Sequence, residues 1–155
     1  MVASDKDIFQ RKMLGVLCAL LAPACIIFGF LGIDYNLPGW YKSISATYYA
    51  SSNICMVGLL FSTAVFFAGY SGYDWRDRVL SAIQSICALG IIVFPCKTPG
   101  VPPNVGIFQL PVDTSNVIHC TFAAVLFLAF AFNIFFAKSK DIKYFLLHIL
   151  IKNTK

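Results

Sequence analysis

The chain has 155 residues, of which 59% are hydrophobic and only 12% are charged, and its net charge is +5. An average soluble domain is about one quarter charged, so this composition argues against an ordinary soluble domain and favours a membrane protein. The positive charge lies around the apolar stretches, where a membrane explains it, and we therefore expect no nucleic-acid partner.

Four apolar stretches make up most of the chain, at residues 13–33, 53–70, 79–95 and 117–137. None of them contains Lys, Arg, Asp or Glu. A hydrocarbon core about 30 Å thick needs about 20 helical residues, so each stretch has about the right length to cross a bilayer. The sequence predicts a single all-α membrane domain over residues 1–155, built as a polytopic transmembrane four-helix bundle.

The basic residues predict how this bundle is oriented. Ten of the twelve lie in the N-terminal tail, the second connection and the C-terminal tail, and only Lys42 and Lys97 lie in the first and third connections. Because Lys and Arg collect on the cytoplasmic side, both termini are predicted to be cytoplasmic. The first apolar run is longer than the core of a signal peptide, so we expect an uncleaved first helix.

The first connection, residues 34–52, is rich in polar and aromatic residues. Polar and apolar positions alternate from Ser43 to Tyr48, a pattern that favours a short extended or re-entrant segment. Aromatic residues are typical of the membrane–water boundary, where their rings anchor at headgroup depth. Four of them are expected to form such a cluster here: Trp40, Tyr41, Tyr48 and Tyr49.

Small and polar residues recur along the third apolar stretch. Ser81, Ser85, Ala88 and Gly90 let a second helix approach closely, and Gln84 can hydrogen-bond across the interface. We expect these residues to pack the helices of one chain against each other.

The third connection and the C-terminal tail carry clear turn and cap signals. Residues 97–116 contain four prolines, which favour turns over a helix. Residues 113–116 read Asp-Thr-Ser-Asn and are good N-cap candidates for the fourth helix. Residues 141–152 are apolar between lysines but too short to span, which predicts a short interfacial helix or a truncated fifth one.

His119 is the ionisable side chain placed deepest in a predicted helix, about one turn inside the fourth. Ionisable residues within a membrane are candidates for function. We predict a non-enzymatic protein that binds lipid or a small ligand at an outer-leaflet site of seven residues: Asp34, Ser43, Ser45, Tyr48, Tyr49, Asp113 and His119. The simpler alternative is that His119 only ties the helix ends to the first connection by a hydrogen bond.

A membrane-embedded hydrolase that pairs His119 with Ser43 or Ser45 is a second alternative. The chain has no Gly-x-Ser-x-Gly motif and no complete catalytic motif, so we predict no catalytic residue and no cofactor. No His spacing suits a metal, and we predict no metal site. Cys96 and Cys120 lie near the same helix ends, and a disulfide between them is a further hypothesis.

An oligomeric channel or transporter subunit is another alternative. Four helices without charge offer little to line a polar path, so such a role requires several copies of the chain. The candidate lining residues are Ser81, Gln84, Ser85 and Asn133. The expected partners are membrane lipid and, as an open alternative, further copies of the chain.

Several short motifs occur in an order that resembles a known group. They are Ser43-Ile-Ser-Ala-Thr-Tyr-Tyr49, Gly72-Tyr-Asp74, Ala88-Leu-Gly with Phe94-Pro95, and Ile118-His119 with Phe122-Ala-Ala. Together they resemble uncharacterised bacterial multispanning membrane proteins and, more distantly, the damage-regulated autophagy modulator and Sfk-type proteins. The resemblance spans residues 13–137 and implies five or six spanning helices without an established enzymatic mechanism. It singles out five positions: Ser43, Ser45, Tyr49, Asp74 and His119.

Overall fold

The computed structural model describes residues 5–32, 42–70 and 74–153. Within these ranges the chain is all-α and has four α-helices, a short 3-10 helix and one two-stranded hairpin. The α-helices are α1 (Asp5–Leu31), α2 (Asn53–Ala68), α3 (Trp75–Val93) and α4 (Val112–Asn153). The 3-10 helix is Ser45–Tyr49, and the antiparallel hairpin pairs β1 (Asn104–Val105) with β2 (Leu110–Pro111).

Two of the described helices are long and apolar enough to cross a membrane by length and composition. They contain Lys12–Leu31, a stretch of 20 residues in α1, and Val112–Phe135, a stretch of 24 residues in α4. Helix α2 is apolar but has only 16 residues, about 24 Å at 1.5 Å per residue. Helix α3 begins among charged residues at Trp75, earlier than the predicted start at residue 79.

The ends of α3 and α4 differ from the predicted ones for local reasons. Helix α3 ends at Val93 because Pro95 disfavours the helical conformation of the residue before it. Helix α4 begins at Val112, directly after the hairpin, and the Val112 N–H donates to the Pro103 carbonyl at 2.8 Å. The residues predicted as caps therefore lie inside the first turns of α4.

The prediction of a separate short helix at residues 141–152 is wrong. Helix α4 continues without a break to Asn153 and has 42 residues. Neither Gly nor Pro occurs anywhere in this range, so nothing in the backbone chemistry ends the helix earlier.

Consecutive helices pack against each other, α1 on α2, α2 on α3, and α3 on α4. A core cluster takes side chains from all four helices: Cys25, Met56, Leu60, Ala64, Cys87, Ala88, Ile91 and Leu126. Rings of α2 and α4 also meet, with the Phe67 and Phe130 centroids 5.7 Å apart.

Small and polar residues of α3 make the closest of these contacts, which confirms their predicted packing role. The Ser85 hydroxyl donates to the Ala64 carbonyl of α2 at 2.8 Å. The Asn133 amide donates to Gln84 Oε1 at 3.1 Å. Gly90 lies so close to the ring of Phe122 that a Cβ atom there would come within 2.5 Å of it.

The residues predicted to line a channel are used in this packing. Ser81, Gln84 and Ser85 are buried inside the single chain, and Gln84 is 0% exposed. Asn133 is half-buried and turned toward Gln84. Within the single chain these side chains therefore contribute to the packing between helices.

We predict that Gly90→Ala destabilises the fold. The added methyl group would overlap the Phe122 ring, and overpacking of this kind costs about 1–3 kcal/mol. Thermal unfolding of the purified chain in detergent, followed by tryptophan fluorescence, measures the loss.

Gly58→Ala is the matched control because nothing lies within 4 Å of the Cβ it would add. Alanine in a helix gains about 0.5–1 kcal/mol over glycine, so this variant is expected to be as stable as the wild type or more so. Equal melting temperatures for the two variants would contradict the close α3–α4 contact.

Candidate functional site

The predicted extended segment before α2 is instead a 3-10 helix, Ser45–Tyr49. Two side chains close its turns on the backbone. The Ser43 hydroxyl accepts the Ala46 N–H at 3.1 Å, and the Thr47 hydroxyl donates to the Ile44 carbonyl. Ser and Thr often close turns in this way, which overrides the alternating pattern that predicted a strand. The turn presents Ser45 and Tyr49 to the rest of the structure.

The segment that leaves α3, residues 94–97, is the base of the site, and we call it the strap. Its residues follow the end of α3, so their carbonyls have no hydrogen-bond donor within the helix. Three of its four carbonyls, those of residues 94–96, instead accept a hydrogen bond from a side chain. His119 Nδ1 lies 2.8 Å from the Phe94 oxygen, the Ser115 hydroxyl 2.8 Å from that of Pro95, and the Tyr49 hydroxyl 2.9 Å from that of Cys96.

The fourth residue of the strap is held through its backbone N–H instead of its carbonyl. The Lys97 N–H donates to Asn116 Oδ1 at 2.8 Å. Ser115, Asn116 and His119 lie on consecutive turns of α4, and Ser115 and His119 are four residues apart and so share one face. Side chains from the first turns of α4 therefore form hydrogen bonds with Phe94, Pro95 and Lys97 of the strap.

His119 is 3% exposed and forms hydrogen bonds through both ring nitrogens. Its Nε2 lies 3.0 Å from the Ser45 hydroxyl. The Phe94 carbonyl can only accept a hydrogen bond, so in the neutral imidazole Nδ1 carries the proton and Nε2 holds a lone pair. The Ser45 hydroxyl consequently donates to Nε2, and His119 links the 3-10 helix to the strap.

Tyr49 is a neutral donor in this network. Burial raises the pKa of its hydroxyl to about 12, which keeps the proton on the oxygen at physiological pH. Its ring meets the ring of Tyr48 edge-on, with centroids 5.2 Å apart. Tyr48 thus lies beside the site without a hydrogen bond to the strap among those described.

The predicted site residues therefore divide into three groups. Ser45, Tyr49 and His119 come together on the strap, and Tyr48 flanks them. Ser43 is exposed and closes the turn of the 3-10 helix. Asp113 turns away to pair with Lys97 Nζ at 2.7 Å, and both side chains are largely exposed.

The remaining predicted positions are one acidic residue, two aromatic residues and two cysteines. Asp34, like Trp40 and Tyr41, lies outside the described residues. Cys96 and Cys120 are free thiols, and burial raises the pKa of the Cys96 thiol. Among the residues that the structure describes, no group of three His, Cys, Asp or Glu side chains is placed to hold a metal ion.

Sequence reasoning missed Ser115 and Asn116 as parts of the site, because both were assigned to a helix cap. A signal for them was present in the chain. Pro95 ends α3 and leaves carbonyls in need of donors, while Ser115 and His119 stand one helical turn apart at the start of the next helix.

The chain shows no significant match to a protein-family model, to a curated protein or to a solved structure. The resemblance to multispanning membrane proteins therefore stays a prediction.

We predict that Ser115→Ala destabilises the chain more than an ordinary serine substitution does. The change leaves the carbonyl of the fully buried Pro95 without its donor, which costs about 1–3 kcal/mol. Melting temperature in detergent is the readout. Ser62→Ala is the control, because Ser62 donates only to the Gly58 carbonyl within its own helix. A loss of the same size in both variants would contradict the role given to the strap.

Proposed function

We propose that the chain is a multi-pass integral membrane protein that binds lipid or a small amphiphilic ligand at the site formed by Ser45, Tyr48, Tyr49 and His119. The distribution of polar and apolar side chains supports the proposal that the chain spans a membrane. Polar side chains such as Gln84 and Ser81 are buried, while α1 and α4 expose large apolar ones. In water the opposite distribution is expected. In a bilayer, apolar side chains face lipid and polar ones pair inside the bundle.

The orientation follows from the charges around the helices. With both termini in the cytoplasm, α3 runs outward from Trp75 and α4 returns inward from Val112. The strap and the 3-10 helix then lie at the outer end, close to headgroup depth. Trp75 is exposed next to Arg76, whose guanidinium lies 5.7 Å from the indole centroid. Such a pair suits the inner membrane boundary.

The single observation that supports a binding site is the hydrogen bond between Ser45 and His119. Both side chains could be replaced by apolar residues if the end of the bundle only had to be packed. Instead, the 3-10 helix carries hydroxyl groups on Ser45, Tyr48 and Tyr49 beside an imidazole. Ser45 is only partly buried, and its oxygen keeps lone pairs that can accept a hydrogen bond from a ligand.

The apolar surroundings indicate an amphiphile as the ligand. Ile44 precedes Ser45 and is 41% exposed, and the hairpin between β1 and β2 exposes Ile107 and Phe108. Phe108 stacks on Phe94 of the strap, with centroids 5.8 Å apart. A molecule with a hydrogen-bonding head and an apolar tail would match both kinds of surface.

The orientation predicts the accessibility of engineered cysteines. In a cysteine-free background, Ser43→Cys should react with a membrane-impermeant maleimide in intact cells. Ser139→Cys, in the basic C-terminal part of α4, should react only after the cells are permeabilised. The opposite pattern would reverse the proposed orientation, and equal reaction at both positions in intact cells would exclude a bundle with this topology.

The ligand proposal predicts co-purification of lipid. The wild-type chain, extracted in mild detergent and analysed by native mass spectrometry, should retain phospholipid. Ser45→Ala and His119→Ala should lower the retained fraction, since each removes one half of the polar pair. Ser62→Ala serves as the control because its hydroxyl lies on α2, away from the site.

Two results would contradict the binding site. One is unchanged lipid retention in both site variants while the fold is intact. The other is the same loss of lipid in the Ser62→Ala control, because this would reflect general lipid contact around the bundle. A photoactivatable phospholipid provides a second readout, and its cross-links are expected on peptides that contain the 3-10 helix or the first turns of α4.

A further inference from the structure

In the hydrogen bond between Ser45 and His119 the hydroxyl is the donor and the imidazole nitrogen the acceptor, as between a nucleophile and its general base. In the neutral imidazole, Nδ1 donates to the Phe94 carbonyl, which leaves Nε2 as the acceptor for the Ser45 hydroxyl, whose oxygen lies 3.0 Å away. A serine hydroxyl becomes a useful nucleophile when a base accepts its proton and a third group orients that base. Here the third group is a backbone carbonyl of the strap.

We propose that Ser45 is an acyl-accepting nucleophile and His119 its general base, acting on an ester of an amphiphilic, acyl-chain-bearing molecule. The inference rests on the proposed function, because it assigns chemistry to the same site and takes the same class of ligand. It goes beyond binding in that the ligand is cleaved.

The reaction balances with water as its only co-reactant. The Ser45 oxygen bonds to the ester carbonyl carbon while its proton moves to His119 Nε2. The bond from that carbon to the alkoxy oxygen breaks, and the leaving alcohol takes the proton from Nε2. A water molecule then gives a proton to Nε2 and attacks the acyl-serine. Ser45 leaves and recovers the proton, so that ester and water become acid and alcohol.

The Phe94 carbonyl, which orients His119, determines how fast we expect the acylation of Ser45 to be. A carbonyl holds the tautomer and the direction of the ring as a carboxylate does, but it carries no full negative charge. It therefore stabilises the charged imidazolium of the transition state less well than the aspartate of a catalytic triad. Asp113 does not supply that charge, because it pairs with Lys97. We expect acylation that is slow but specific to Ser45.

The position of Ser45 is consistent with attack on a lipid ester. The residue is only partly buried, whereas its base is 3% exposed and protected from water. An ester at headgroup depth reaches the hydroxyl from the outer end of the bundle, while its acyl chain lies along apolar surface. A base held in a dry environment and a nucleophile open to one side are the arrangement that such a step requires.

The test uses an alkyl fluorophosphonate, which phosphonylates an activated serine and releases fluoride. The full chain in phosphatidylcholine vesicles is incubated with the probe and analysed by intact mass and peptide mapping. We expect one adduct, located on Ser45, and none in Ser45→Ala. Ser62→Ala should be labelled at the wild-type rate.

A second variant separates catalysis from folding. The amide nitrogen of Asn reaches about as far as Nδ1 of His, so His119→Asn can keep the hydrogen bond to the Phe94 carbonyl but lacks the base. General-base catalysis contributes about 10²–10⁴-fold, and labelling of Ser45 in this variant should fall by about a hundredfold or more. Its melting temperature should stay closer to the wild type than that of His119→Ala.

The outcomes distinguish this inference from the binding proposal. No adduct on Ser45 in the folded chain, or equal labelling rates in wild type and His119→Asn, would overturn the nucleophile–base pair. If lipid retention still depended on Ser45 and His119 in that case, the binding site would stand without chemistry. An adduct on Ser45 together with unchanged lipid retention in the alanine variants would support the reactive serine and refute the binding site as proposed.

Discussion

The carbonyl groups of the strap are the constraint on which the end of the bundle depends. Pro95 ends α3, and residues 94–96 leave the helix with three carbonyl oxygens for which the described part of the chain offers no backbone donor. A buried polar backbone group without a partner costs about 1–3 kcal/mol, so the surrounding elements must provide donors. Two of these come from α4 and one from the 3-10 helix. The position of α4 against α3, and of the 3-10 helix against both, is consistent with that requirement.

The same constraint explains why Ser45 and His119 are held in fixed positions. His119 is fixed by the Phe94 oxygen before it meets any ligand, and this contact determines which ring nitrogen carries the proton. Tyr49 holds the other end of the 3-10 helix on the Cys96 oxygen. Ser45, at the start of that helix, is therefore placed against Nε2 by contacts that have nothing to do with a ligand. A site supported in this manner is preorganised, which favours both binding and transition-state stabilisation.

Much of this could be predicted from the sequence, and two of the failures share a cause. Apolar runs located the helices, and small residues such as Gly90 correctly predicted close helix contacts. The expected link from His119 to the first connection is present in the Ser45 contact. These two assignments, the extended form of the segment at 43–48, which was predicted to be extended or re-entrant, and the caps at 113–116, concern Ser, Thr, Asp and Asn residues. Their partners are carbonyls and amides exposed only once α3 has ended and the hairpin has formed, and periodicity carries no information about those partners.

Most of the described polar side chains within the bundle form a hydrogen bond with a backbone group. The contact between Ser45 and His119 differs from these, because it joins two side chains. Ser85, Ser115 and Tyr49 each donate to a carbonyl, so their hydroxyls are accounted for by folding alone. Two partly buried hydrogen bonds that join side chains of different elements are Asn133 to Gln84 and Ser45 to His119. The first joins two amides, which neither titrate nor attack carbonyl carbon. The second joins a hydroxyl to a basic nitrogen at the partly open end of the bundle, and it is there that chemistry beyond packing is to be sought.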